Sequence, residues 1–70
     1  MYIIKHKYCD LLVDGRRRSG YFCGLEEHGL PEYDCREKAM TFTTRDEAKA
    51  VLRSVIGKHR NVDMFRIVRK

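Results

Sequence analysis

The 70-residue sequence has no apolar run approaching the roughly 20 residues that a membrane-crossing helix needs, so no membrane partner is expected. Its first residues, "MYIIKHKY", become charged at Lys5 and lack the apolar run of a secretory leader. Three cysteines, an odd number, cannot all pair within one chain, and no two of them stand two residues apart as in a zinc knuckle. Together these absences point to a cytoplasmic protein with reduced thiols. A phosphate-binding glycine loop, a dinucleotide turn and a clustered carboxylate pair are missing too. No catalytic residue, cofactor or small-molecule substrate is therefore expected, and a chain this short has little spare volume for a buried catalytic pocket. The sequence has no helix-turn-helix pair, RNA-recognition motif or zinc finger. It also has no internal repeat and no low-complexity tract.

What is present is a patterned, basic chain that forms one domain over residues 1–70. The net charge of +5 is unevenly spread. Residues 26–38 hold Glu26, Glu27, Glu32, Asp34 and Glu37 against only Arg36 and Lys38, while the remainder holds thirteen Lys and Arg against five Asp and Glu. A basic body with an acidic segment suits a nucleic acid or an acidic protein surface as partner. The same charges also serve plain solubility.

Residues 2–8 favour a strand with Tyr2, Ile4, His6 and Tyr8 on its inner face and Ile3, Lys5 and Lys7 outside. Leu11 to Val13 continue it, and "DGRRRSG" breaks it into a loop that carries Arg16, Arg17 and Arg18. "YFCG", Tyr21 to Gly24, is the next strand. Leu25 to Lys38 then reads as a long irregular loop, punctuated by Gly29 and Pro31, of a length that invites a functional role. Ala39 to Thr43 reads as a short third strand that feeds the helix, and Met64 to Arg69 is the last strand.

Between those last two strands lies the strongest local pattern. Thr44 and Glu47 form a capping box. Ala48, Val51, Leu52, Val55 and Ile56 follow at helical spacing as one apolar stripe, and Gly57 is placed to close the helix in the left-handed conformation. A helix of about 12 residues is marginal alone, so its stripe must lie on a sheet. The expected fold is α+β, a small antiparallel sheet with one helix packed across it, in the order β-β-β-α-β.

Beside the stripe runs a basic line, Arg45, Lys49 and Arg53, at about 110° from the stripe's centre on a helical wheel. It is either a binding surface or the solvated flank of a helix. With Arg16, Arg17 and Arg18 it makes one candidate partner site. Glu26, Glu27 and Tyr33 in the acidic loop make another, because arginine and tyrosine are enriched at binding centres. Tyr2, Tyr8, Tyr21 and Tyr33 also offer rings for base stacking. Cys9, Cys23, His28 and Cys35 are a permissible zinc set by residue type, but their spacing is not that of a zinc site, and no metal is expected. Cys35 with His28 has the elements of a nucleophile and base but no third group to orient them.

The stretch "AMTFTTRDEAKAVLRSVIG" with "DMFRIVRK" after it, preceded at the N-terminus by "YIIK", resembles a form common among short accessory proteins of bacteriophages and mobile elements. The likeness covers both ends of the chain and leaves residues 9–38 unmatched. It implies a non-enzymatic protein that binds and blocks a host machine, in the manner of anti-CRISPR and other counter-defence inhibitors. It carries over no functional residue. The partner so implied is a host protein or nucleoprotein complex. The alternative is a small basic protein that binds nucleic acid directly.

Overall fold

The computed structural model describes the backbone of every residue except Asp14, and the side chains of all but residues 9–14 and 16–19. It is α+β: one four-stranded antiparallel sheet with a single α-helix lying on one face. The strands are β1 (Tyr2–Val13), β2 (Arg16–Leu25), β3 (Pro31–Asp34) and β4 (Phe65–Arg69), in the spatial order β3-β2-β1-β4. The helix α1 (Arg45–Ser54) falls between β3 and β4 in sequence.

β1 and β2 form a long hairpin closed at Gly15, whose φ of +75° is the left-handed conformation that tight hairpin turns require and that glycine adopts without steric cost. The expected loop of residues 14–20 is thus corrected: Arg16, Arg17 and Arg18 belong to β2, opposite Val13, Leu12 and Leu11. The turn dipeptide Asp14-Gly15 and the later Gly20 suggest a loop across Arg16–Arg18, whereas the turn is confined to the hairpin tip and the register carries the three arginines into the ladder. From His6 to Asp10 the register slips, so β1 holds residues 7–9 with no counterpart between Gly20 and Ser19. This bulge ends the expected alternation. Tyr8 is 73% exposed instead of facing inward. Ile3, expected outside, is fully buried, as is its neighbour Ile4.

The acidic segment is not an irregular loop. It holds a tight turn at Glu26–Leu30, then β3, then a 3-10 turn at Arg36–Lys38. A four-residue edge strand that starts on proline and carries two acids has no apolar alternation to announce it, and pairing with β2 supplies the order. The third strand expected at Ala39–Thr43 is reduced to one bridge. Phe42 exchanges both main-chain bonds with Tyr2, at 2.8 Å each, and the Met40 N–H donates to the Phe22 carbonyl. The segment thus ties the ends of β1 and β2 together, where their own pairing has stopped at Lys5 and Tyr21.

Thr44 caps α1, its Oγ1 accepting from the Glu47 N–H at 3.2 Å, while Glu47 Oε2 accepts from the Thr43 N–H at 3.2 Å. Replacing Thr44 by alanine removes one of these bonds. It is expected to cost about 1 kcal/mol, measured as a lower denaturant midpoint with unchanged slope. The helix ends differently from expectation. Gly57 is not left-handed; it lies in a 3-10 turn, Ile56–Lys58, that continues the chain past Val55. A Cβ there would sit 3.2 Å from Val62 Cγ1 and 3.3 Å from the Leu52 carbonyl, so glycine serves close approach, not chirality.

The core lies between α1 and the sheet. Ala48, Leu52 and Ile56 from the helix side meet Ile4, Phe22, Phe42 and Phe65, with Tyr2, Tyr33, Val51, Val55, Met64 and Ile67 packed around them. No helix among the described residues is long and apolar enough to cross a membrane.

Candidate functional site

Arg45, Lys49 and Arg53 are all exposed, as the helical wheel predicts. They form one wall of an open groove of about 310 Å³ between α1 and β4. Leu52, Val62, Phe65, Arg66 and Ile67 complete the lining. The apolar stripe fixes how the helix faces the sheet, and the line on its flank therefore overhangs β4, which is the outermost strand on that side. Arg66 adds a fourth cation that sequence reasoning missed. Its neighbours on β4 alternate toward the core, but only the strand order shows that β4 borders the basic flank.

No ion pair neutralises these cations among the described residues. Among the described residues, no carboxylate lies within 4 Å of Arg45, Lys49, Arg53 or Arg66; the pairs His28–Glu27 at 3.4 Å and Lys38–Asp34 at 3.8 Å lie elsewhere. Glu47, next to the line in sequence, is turned back onto the Thr43 N–H. Arg45 is also placed over the Tyr2 ring, 5.5 Å from its centroid, and Arg69 lies 5.7 Å from the same ring. The Tyr2 hydroxyl accepts from Arg69 Nη2 at 3.4 Å. The ring thus holds two guanidinium groups near the mouth of the groove.

The other candidates are placed differently. Tyr33, expected as an exposed contact residue, is half-buried and belongs to an aromatic cluster. Its ring stacks 5.8 Å from Phe65 and meets His6 edge-on at 5.2 Å. An edge strand exposes only one of its faces here, and Tyr33 is on the covered one, opposite Phe22. Glu26 is engaged in its own turn, with Oε1 accepting from the N–H groups of His28 at 2.9 Å and Leu30 at 3.2 Å. Glu26 is thus held in place by its own turn while remaining partly accessible. Glu27 is exposed and pairs with His28. The side chains of Arg16, Arg17, Arg18 and Cys9 lie outside the described residues. Cys23 is half-buried on β2, and burial, then the Glu32 and Asp34 carboxylates, push its thiol pKa up. Cys35 begins the 3-10 turn after β3, and His28 is exposed in the β2–β3 turn. Among the described residues no three metal-ligating side chains come together.

His6 is the one buried ionisable group among the described residues, at 5% exposure. Its Nδ1 accepts from the Tyr8 N–H at 3.1 Å, which leaves the proton of a neutral ring on Nε2. Burial first, and the nearby Arg60 charge second, lower its pKa below the usual 6.5. The folded state therefore resists a proton that the unfolded chain accepts. The stability this confers is complete above about pH 6.5 and falls as the pH drops from there toward the folded-state pKa. Thermal melts at a series of pH values from 7.5 downward are expected to show that loss, and His6→Asn to flatten it.

Comparison with protein-family models, with curated proteins and with solved structures finds no match to this chain.

Proposed function

We propose that the protein is a non-enzymatic binding protein that attaches to an acidic site on a host protein or nucleoprotein complex and blocks it. The observation that carries this reading is the α1–β4 groove, four cations without a carboxylate neighbour among the described residues around an apolar floor. Mixed polar and apolar linings of this kind bind by burying the floor while the charges select and orient the partner. The resemblance of both chain ends to short phage accessory proteins extends the reading to a counter-defence inhibitor of the anti-CRISPR type. Such a protein acts by occupying a surface, and it needs no chemistry of its own.

Direct nucleic-acid binding draws on the same cations. A salt titration separates the two. Binding to duplex or single-stranded DNA or RNA that falls steeply with salt assigns the groove to phosphates. Absence of such binding at physiological salt, with specific capture of a bacterial protein complex by the intact chain but not by a groove variant, supports the blocking role. Capture that is unaffected by the groove variant refutes it.

A further inference from the structure

We infer that the α1–β4 groove takes an extended acidic peptide of the partner, which adds to the sheet as a fifth strand along β4. This deepens the proposed function and rests on it. β4 is an edge strand, and the hydrogen-bond alternation of an antiparallel pair identifies which of its groups are open. The Lys70 N–H donates to the Met1 carbonyl at 3.0 Å, and Tyr2 turns both its main-chain groups the other way, to Phe42. Stepping along the register by twos, Val68 and Arg66 bond to Ile3 and Lys5, while Ile67 and Arg69 direct their N–H and C=O groups away from β1. The Arg69 carbonyl accepts from Arg36 Nη2 at 3.4 Å, and the Phe65 N–H is taken by the Val62 carbonyl. Both main-chain groups of Ile67 and the Arg69 N–H are left without a partner among the described residues. Ile67 is also a lining residue of the basic groove.

Two features of the same groove therefore ask for one ligand. An open strand edge calls for a peptide backbone, and alternate side chains of an added strand meet whatever lies on the helix side. There the strand would find Arg45, Lys49 and Arg53. These stand about 6 Å apart along the helix axis, from four residues at 1.5 Å each. Alternate residues of a strand are about 6.7 Å apart, so acids at every second position match the cations over the length of the line. A nucleic acid would satisfy the charges but would leave the strand edge and the apolar floor unused. A second copy pairing β4 with β4 would set these cations against each other. The opposite edge, β3, carries Glu32 and Asp34, so head-to-tail self-association is the remaining competitor.

The test uses the full chain and a fluorescein-labelled eight-residue peptide that alternates glutamate with threonine. Saturable binding is expected, with the Ile67 and Arg69 amides protected from hydrogen exchange. Variants carrying Arg45→Glu, Lys49→Glu and Arg53→Glu should bind at least about tenfold more weakly. Peptides N-methylated at alternate residues, made in both frames, keep their charges but cannot pair along one edge; one frame should lose about tenfold in affinity. If charge reversal weakens binding but neither N-methylated peptide differs from the parent, the groove is the binding site and strand addition is wrong. If the reversed protein binds as the parent does, the groove reading itself fails. Displacement of the peptide by single-stranded DNA that leaves both amides unprotected overturns the inference in favour of nucleic acid. Sedimentation as an oligomer that the peptide does not dissociate assigns the edge to a second copy instead.

Discussion

Reversing Arg45, Lys49 and Arg53 to glutamate is expected to abolish partner binding while leaving the protein folded. All three residues are exposed and line the same groove, so reversal turns a uniformly attractive wall into a repulsive one. Like charges brought together across an interface cost several kcal/mol, which corresponds to a loss of about a hundredfold or more. The cost to the fold is smaller and unequal. At position 45 glutamate gives up the contact with the Tyr2 ring, about 0.5–1 kcal/mol at an exposed site, but it gains a similar amount from the helix N-terminus. At position 53, in the last turn, glutamate meets the negative end of the helix dipole and is the least well tolerated of the three. Position 49, mid-helix, is close to neutral. Circular dichroism melts and a binding isotherm on the same preparation check both halves. Undiminished binding by the folded triple variant would reduce the line to the solvated flank of a helix.

Leu52→Ala carries the largest expected cost in stability, roughly 2–5 kcal/mol. Leu52 is 9% exposed and joins the core between α1 and the sheet, so its loss leaves a cavity that Ala48 and Ile56, already buried, are not free to fill. A chain of this length has a total stability of about 4–10 kcal/mol. The variant should therefore show a greatly reduced denaturant midpoint, or be unfolded at 37 °C. Leu52→Met conserves the volume and should cost less than about 1.5 kcal/mol. Leu52 also lines the groove, so the methionine variant separates loss of the floor from loss of the fold. An alanine variant that melts with the parent would mean that the stripe is not core.

α1 was legible in the sequence because everything that defines it is local. The Thr44 and Glu47 cap and the spacing of Ala48, Leu52 and Ile56 lie within four turns, and the structure reproduces them. The exposure of the Arg45 line followed by geometry from the same stripe. β3 was not legible, since Pro31, Glu32 and Asp34 carry no apolar alternation and the order comes from β2. Tyr33 and Glu26 looked like surface residues because the segment around them looked like a loop. Once β3 is a strand, Tyr33 must choose a face, and it takes the aromatic one. The contribution of Arg66 depends on which strand borders the helix flank, a property of the sheet order that no neighbouring residue encodes.

The position of β4 beside β1 has a consequence for the route to the native state. β1 and β2 can zip from Gly15 outward with little chain to organise, whereas Tyr2 and Arg69 meet only when almost the entire chain has closed into a ring. The entropy of closing such a long loop must be spent before any β1–β4 contact rewards it, which places that pairing late and slows the overall rate. Weakening β4 then acts mainly by hastening escape from the native state, while changes in the β1–β2 hairpin act mainly on how fast it is reached.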